Sequence, residues 1–174
     1  SVHDAIRAGF GLVPEDRLTQ GLVLERSISD NVVVTTVGEL TDRVGLLHPK
    51  TLATVAREWI GKLAVKAPDP MRSVSTLSGG NQQRVVLAKW LAARPGILIL
   101  NGPTVGVDVG SKEQIHAILR ALASDGMAIV VVSDDVPELL DLCHTITVMR
   151  EGRVTEVIDR SQVDESALNT MLAV

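Results

Sequence analysis

Eight residues, Leu77-Ser78-Gly79-Gly80-Asn81-Gln82-Gln83-Arg84, followed by the apolar run Val85 to Ala93, constrain this chain more than any other stretch. A serine and two glycines stand where a helix is about to begin. Ser78 offers a hydroxyl, and Gly79 and Gly80 let the backbone approach another group with no side chain in the way. The unpaired N–H groups and positive dipole end of the helix favour an anion there, most naturally a phosphate. Val85, Val86, Leu87, Ala88, Trp90 and Leu91 make the helix apolar nearly all round, which predicts burial. A competing reading is a glycine-rich turn that merely starts a core helix. Gly-Gly alone favours that reading, whereas the full octet favours the anion.

Around this stretch, strands alternate with helices. Ser1 to Ala8 reads as a short helix ended by Gly9, and Phe10 to Val13 as a strand stopped by Pro14. Glu15-Asp16-Arg17 is a charged turn, which by itself reads as solvated. Leu52, Val55, Ala56, Trp59, Ile60 and Leu63 form a helical stripe, which makes Trp59 a core residue. Ile97 to Leu100 is a continuous apolar run, the mark of a strand buried on both faces. Asn101-Gly102-Pro103-Thr104 and Gly106-Val107-Asp108 follow it. Ser111 with Gln114 reads as a capping box for the next helix, which Asp108 could also cap. Met127 to Val132 is a second fully apolar strand ending in Ser133-Asp134-Asp135, and a hairpin is expected around Glu151-Gly152. The alternation implies a parallel sheet layered by helices. Such sheets bind ligands at the carboxyl ends of their strands, where Asn101, Asp108 and Asp134 fall. The helical texture of residues 27–92 predicts a lobe inserted in an α/β core made of residues 1–26 and 93–174.

Composition narrows the function. The formal charge of −4 and the lack of a basic stripe argue against a nucleic-acid partner. With no Tyr and a single Phe10, base-stacking platforms are not expected either. Cys143 stands alone, so no disulfide framework is available and a reducing cytoplasm fits. No apolar stretch reaches the ~18 residues of a spanning helix, so a membrane role is expected to come through partner chains. His3, His48, His116 and His144 are scattered without metal-ligand spacing, and His116 reads as a surface residue.

Leu-Ser-Gly-Gly followed by Asn-Gln-Gln resembles the signature motif of ATP-binding cassette (ABC) ATPases. The Asn-Gln-Gln variant is most similar to the second cassette of the duplicated ATPases that drive bacterial uptake of ribose, xylose or galactose. The resemblance extends from Asp4-Ala5-Ile6 through Val13-Pro14-Glu15-Asp16-Arg17 to Glu151-Gly152-Arg153. It implies a three-layer P-loop-type α/β core with a mostly parallel sheet and an inserted helical signature lobe. The phosphate loop, Gly-x-x-x-x-Gly-Lys-Ser/Thr, does not occur in the sequence. The resemblance places it ahead of Ser1, so a truncated cassette is expected. By the same resemblance, Ser78, Gly79, Gly80 and Gln82 would face the γ-phosphate of ATP held by another cassette. Glu15 stands where the family usually has the Gln of its γ-phosphate-sensing loop, and Asp108 in the loop that crosses the dimer interface. ATP and Mg2+ are the implied cofactors of the full assembly, with neither held tightly by this segment. The implied partners are another cassette, transmembrane permease subunits and, indirectly, a periplasmic sugar-binding protein. The implied place is the cytoplasmic face of the inner membrane.

Three departures bear on activity. The strand Ile97 to Leu100 resembles the Walker B strand, which normally runs into Asp-Glu. Here Asn101 keeps an acceptor oxygen without the charge a hard cation favours, and Gly102 has no side chain to polarise water. Losing a general base costs ~10²–10⁴ in rate. The family's switch histidine is also absent, and Asp134 takes its place. The family's activity is ATP hydrolysis coupled to sugar transport, and this segment alone is expected to be inactive. The alternative is a non-catalytic cassette module that docks on transmembrane subunits.

Overall fold

The computed structural model describes residues 1–38, 40–42 and 46–172, in two compact units, Ser1–Val130 and Val131–Val174. In the first unit β1 (Phe10–Val13) lies parallel to β2 (Ile97–Asn101), in a register running from Phe10 opposite Ile97 to Val13 opposite Leu100. A third strand, β3 (Ala128–Val132), begins in this unit and gives the sheet order β1-β2-β3. Alternation along the strands divides the sheet into a covered and an uncovered face. Val13, Leu98 and Leu100 have no exposed surface, whereas Phe10 and Leu12 are 38% and 48% exposed. Val130 and Val132 are likewise about half exposed. The strands at 97–100 and 127–132, expected to be apolar because buried on both faces, are therefore fully covered on at most one. Helix packing explains the difference for β1 and β2, since α4 (Gly79–Ala92) packs against β1.

Helix α4 joins the lobe to the sheet. It packs on α2 (Ile28–Val33), on α3 (Pro49–Lys62) and on α5 (Val109–Ser124) as well as on β1. Val85, Val86, Leu87 and Ala88 are completely buried, as the all-round apolar pattern requires. Helix α4 thus lies within the unit Ser1–Val130 together with α2, α3, α5 and β1. On α3 the apolar stripe is turned inward through Ala56, Ile60 and Leu63. Trp59 stays half-buried, with Lys62 Nζ 4.6 Å from its ring centre.

Polar groups are also buried in α4. Lys89 Nζ donates to the carbonyl of Gly21 at 2.5 Å, and burial pushes the ammonium down to about 8. Helix α5 begins one residue after Asp108, whose Oδ1 accepts from the Ser111 N–H at 2.9 Å. The capping box expected from Ser111 and Gln114 is therefore replaced by an aspartate cap. Gln114 accepts from Arg84 instead. His116, read from sequence as a surface residue, is only 2% exposed because it lies on the inward side of α5 beside Ile115.

The second unit places α6 (Val136–Leu142), the antiparallel hairpin β4 (Thr145–Arg150) and β5 (Arg153–Asp159), and α7 (Glu165–Leu172) around a small core. Val136, Leu139, Ile146, Val148, Val163 and Leu168 form that core. Asp135 caps α6 by accepting from the Glu138 N–H at 3.0 Å.

Candidate functional site

Ser78 is the N-cap of α4, in extended backbone geometry. The first helical bond runs from the Gln82 N–H to the Ser78 carbonyl at 2.9 Å, so the N–H groups of Gly79, Gly80 and Asn81 have no intrahelical partner. A serine N-cap ordinarily accepts from one of those groups. The Ser78 side chain does not; its Oγ accepts from Asn81 Nδ2 at 2.9 Å. Asn81 Oδ1 in turn accepts from the Lys66 N–H at 2.8 Å. Gln82 is placed differently from the expectation that it faces a phosphate. It is 7% exposed, and its amide is turned inward on the carbonyl of Val74, 3.4 Å away. Asn81, one residue earlier, stands beside Ser78 in its stead. The Leu-Ser-Gly-Gly spacing drew attention to the serine and glycines and away from this asparagine. Its signal was position, three residues after an N-cap serine.

The two glycines are required by the chain's own packing. A Cβ on Gly79 would lie 2.8 Å from Arg17 Nη2 and 3.0 Å from the carbonyl oxygen of Gly106. A Cβ on Gly80 would lie 2.5 Å from Ser111 Cβ and closer still to its hydroxyl. The Cβ side of both glycines is thus filled from inside, by Arg17 of the turn after β1, by the Gly106 carbonyl and by the first turn of α5.

Ser78 and Asp108 share a polar cleft of about 340 Å³, lined also by Lys66, Asn81, Arg84, Gly110, Ser111 and Gln114. The Ser111 backbone and hydroxyl bonds hold the exposed Asp108 carboxyl below the usual carboxylate range. Arg84 is buried; its Nη1 donates to the carbonyl of Ala64 at 2.8 Å and its Nη2 to Gln114, tying α4 to α5. A second cleft of about 370 Å³ brings Glu15 and Asn101 together with Asp16, Arg17, Leu18, Gln20, Val105 and Gly106. At its edge Gly102 is buried with φ +58, where a Cβ would meet Val105 Cγ2 at 2.8 Å and Glu15 Cγ at 3.3 Å. Arg17 closes the turn that follows, donating to the carbonyls of Val105 and Gly106 at 2.8 and 3.1 Å. Asp134 belongs to the second unit, where it is exposed between Ser133 and Asp135.

These donors sort by chemistry. The start of α4 presents N–H groups and a hydroxyl, which suit a phosphate. The end of β2 presents a neutral amide at Asn101 and no side chain at Gly102, which does not suit Mg2+. Among the described residues no group of three His, Cys, Asp or Glu side chains could hold a metal ion. Nor, among them, is any helix long and apolar enough to cross a membrane.

A parallel α/β sheet with a helical lobe that delivers a Ser-Gly-Gly helix start is the architecture of an ATP-binding cassette. The family model described as ABC transporter matches residues 2–105, and the chain belongs to that family. Over 94% of its length the chain is 48% identical to the ribose import ATP-binding protein RbsA 2 of Streptomyces avermitilis. Over the same share it is 46% identical to the ribose import ATP-binding protein RbsA of Rhodococcus jostii. It spans only 32% of the length of either relative. A solved dimeric structure of a post-hydrolysis state of the ATP-binding cassette MJ0796, bound to ADP and Pi, matches with a TM-score of 0.74 at 25% identity. That match covers 90% of this chain and 66% of the other.

Proposed function

We propose that this chain is part of the ATP-binding component of a bacterial ribose-type importer, and that it supplies the signature half of a composite ATP site. The observation that carries the reading is the start of α4. There the exposed Ser78 shares one cleft with Asn81 and Asp108, and the N–H groups of Gly79, Gly80 and Asn81 have no intrahelical partners. ATP would be held by the phosphate loop of another cassette, and Ser78, Gly79 and Asn81 would present donors to its terminal phosphate. The close relationship to ribose import proteins supports the sugar class, and the dimeric, ADP-bound neighbour supports a site shared between cassettes. The partners are then a second cassette, transmembrane permease subunits and, through them, a periplasmic sugar-binding protein. The chain would work as a peripheral subunit on the cytoplasmic face of the membrane.

Its own nucleotide half is proposed to be non-hydrolytic. Asn101 and Gly102 provide neither a carboxylate for magnesium nor a base for water, and this favours a division of labour between two unlike sites. The test is ATPase activity of the assembled importer. Ser78→Ala should lower the maximal rate on the order of a hundredfold, the loss typical of removing one donor to developing charge. An importer that keeps its full rate with Ser78→Ala would overturn the proposal.

A further inference from the structure

We infer that Asn81 is a positioning residue, which fixes the polarity of the Ser78 hydroxyl so that its proton is available to an incoming phosphate. The inference rests on the signature reading above and goes beyond it by naming the group that orients the donor.

A serine hydroxyl can both donate and accept, so its presence in a phosphate-facing position does not by itself make it a donor. Its proton goes to the best acceptor nearby. Here the asparagine settles the matter through two bonds. Asn81 Oδ1 takes the Lys66 backbone N–H at 2.8 Å, and an N–H can bond only the oxygen side of an amide. The amide orientation is therefore determined by the network, and the NH2 group must point at Ser78, 2.9 Å away. An NH2 group only donates, so Ser78 Oγ must accept from it. No residue among those described accepts the hydroxyl proton, and the Ser78 side chain makes no bond to the helix it caps. That proton remains for an acceptor from outside the chain.

The geometry also explains why the residue is an amide. Aspartate has the same shape and would still accept from Lys66, but it has no proton to give. The hydroxyl would turn inward and donate to the carboxylate, presenting lone pairs to the phosphate. Lys66 anchors the arrangement from the connection between α3 and α4, so the orientation of the serine depends on the lobe being folded against α4.

The experiment is steady-state ATP hydrolysis by the assembled importer carrying Asn81→Asp, Ser78→Ala or both. Asn81→Asp should lower the maximal rate about tenfold or more, with the ATP concentration for half-maximal rate within about twofold of the original. The double variant should be no slower than Ser78→Ala alone, because the aspartate acts only through the hydroxyl. Asn81→Ala removes the donor without adding charge. It should slow hydrolysis about threefold in the presence of Ser78 and not at all in its absence, and it decides the matter if the aspartate variant fails to assemble. Full activity of the Asn81 variants beside a slow Ser78→Ala would overturn this inference and leave the signature reading standing. So would a double variant tenfold slower than Ser78→Ala, since the carboxylate would then act by charge alone. Full activity of Ser78→Ala would remove the signature reading itself.

Discussion

The start of α4 and the turn leaving β2 are neighbours, both touched by the guanidinium of Arg17, yet they are built on opposite terms. At α4 the glycines lie against Arg17, Gly106 and Ser111, while Ser78 and Asn81 keep their polar atoms toward a cleft. At the end of β2, Gly102 adopts φ +58 beneath Val105 and Glu15, and the side chain that would do chemistry is missing. The first region pairs tight internal packing with an open set of donors. The second has the packing and presents no carboxylate at Asn101 or Gly102. A motif position can thus be held by the fold, by a ligand or by both, and the contacts around each residue tell which.

The largest effect that would sharpen this contrast is at Gly80. Gly80→Ala places a methyl on the backbone-anchored Cβ of Ser111, and overpacking of this kind costs about 1–3 kcal/mol. Urea unfolding should show that loss, and adding Ser111→Gly should recover most of it. An unchanged midpoint for Gly80→Ala would mean the glycine is there for a ligand after all. The next effect concerns β2. Gly102→Glu restores a carboxylate in name but must adopt a left-handed conformation against Val105, which should cost about 1–2 kcal/mol of stability. A gain in stability together with a faster importer would break the comparison. The smallest effect tests the link between the regions. Arg17→Gln removes the bonds to Val105 and Gly106 and should lower stability by about 1 kcal/mol. Combined with Gly102→Glu its loss should not simply add, since both act on one turn; strict additivity in the denaturation midpoints would show that the two are independent.

Much of this could be read from the sequence because it depends on local pattern. The buried α4, the inward stripe of α3, the strand at 10–13 and the hairpin around Glu151-Gly152 follow from periodicity and turn chemistry. The misreadings share a physical cause. Apolar runs at 97–100 and 127–132 record how much burial a strand can accept, and do not say how much covering this chain supplies. His116 beside Ile115 gave no sign of its burial, because the rotation of α5 is set by what Arg84 and Asp108 hold in place. Gln82 drew attention through the motif, although helix geometry turns it toward Val74 and leaves Asn81 beside Ser78.

The contact between Gly80 and Ser111 has a consequence for how such sequences drift. A chain that had lost every ligand would still lose stability by giving up Gly80, so selection for folding alone preserves it. Ser78 has no such protection. It is exposed, caps nothing with its side chain, and its hydroxyl bonds only Asn81 among the described residues. Between two decaying copies of this fold, the glycine would survive in both. The serine and its asparagine would survive only where a phosphate still arrives.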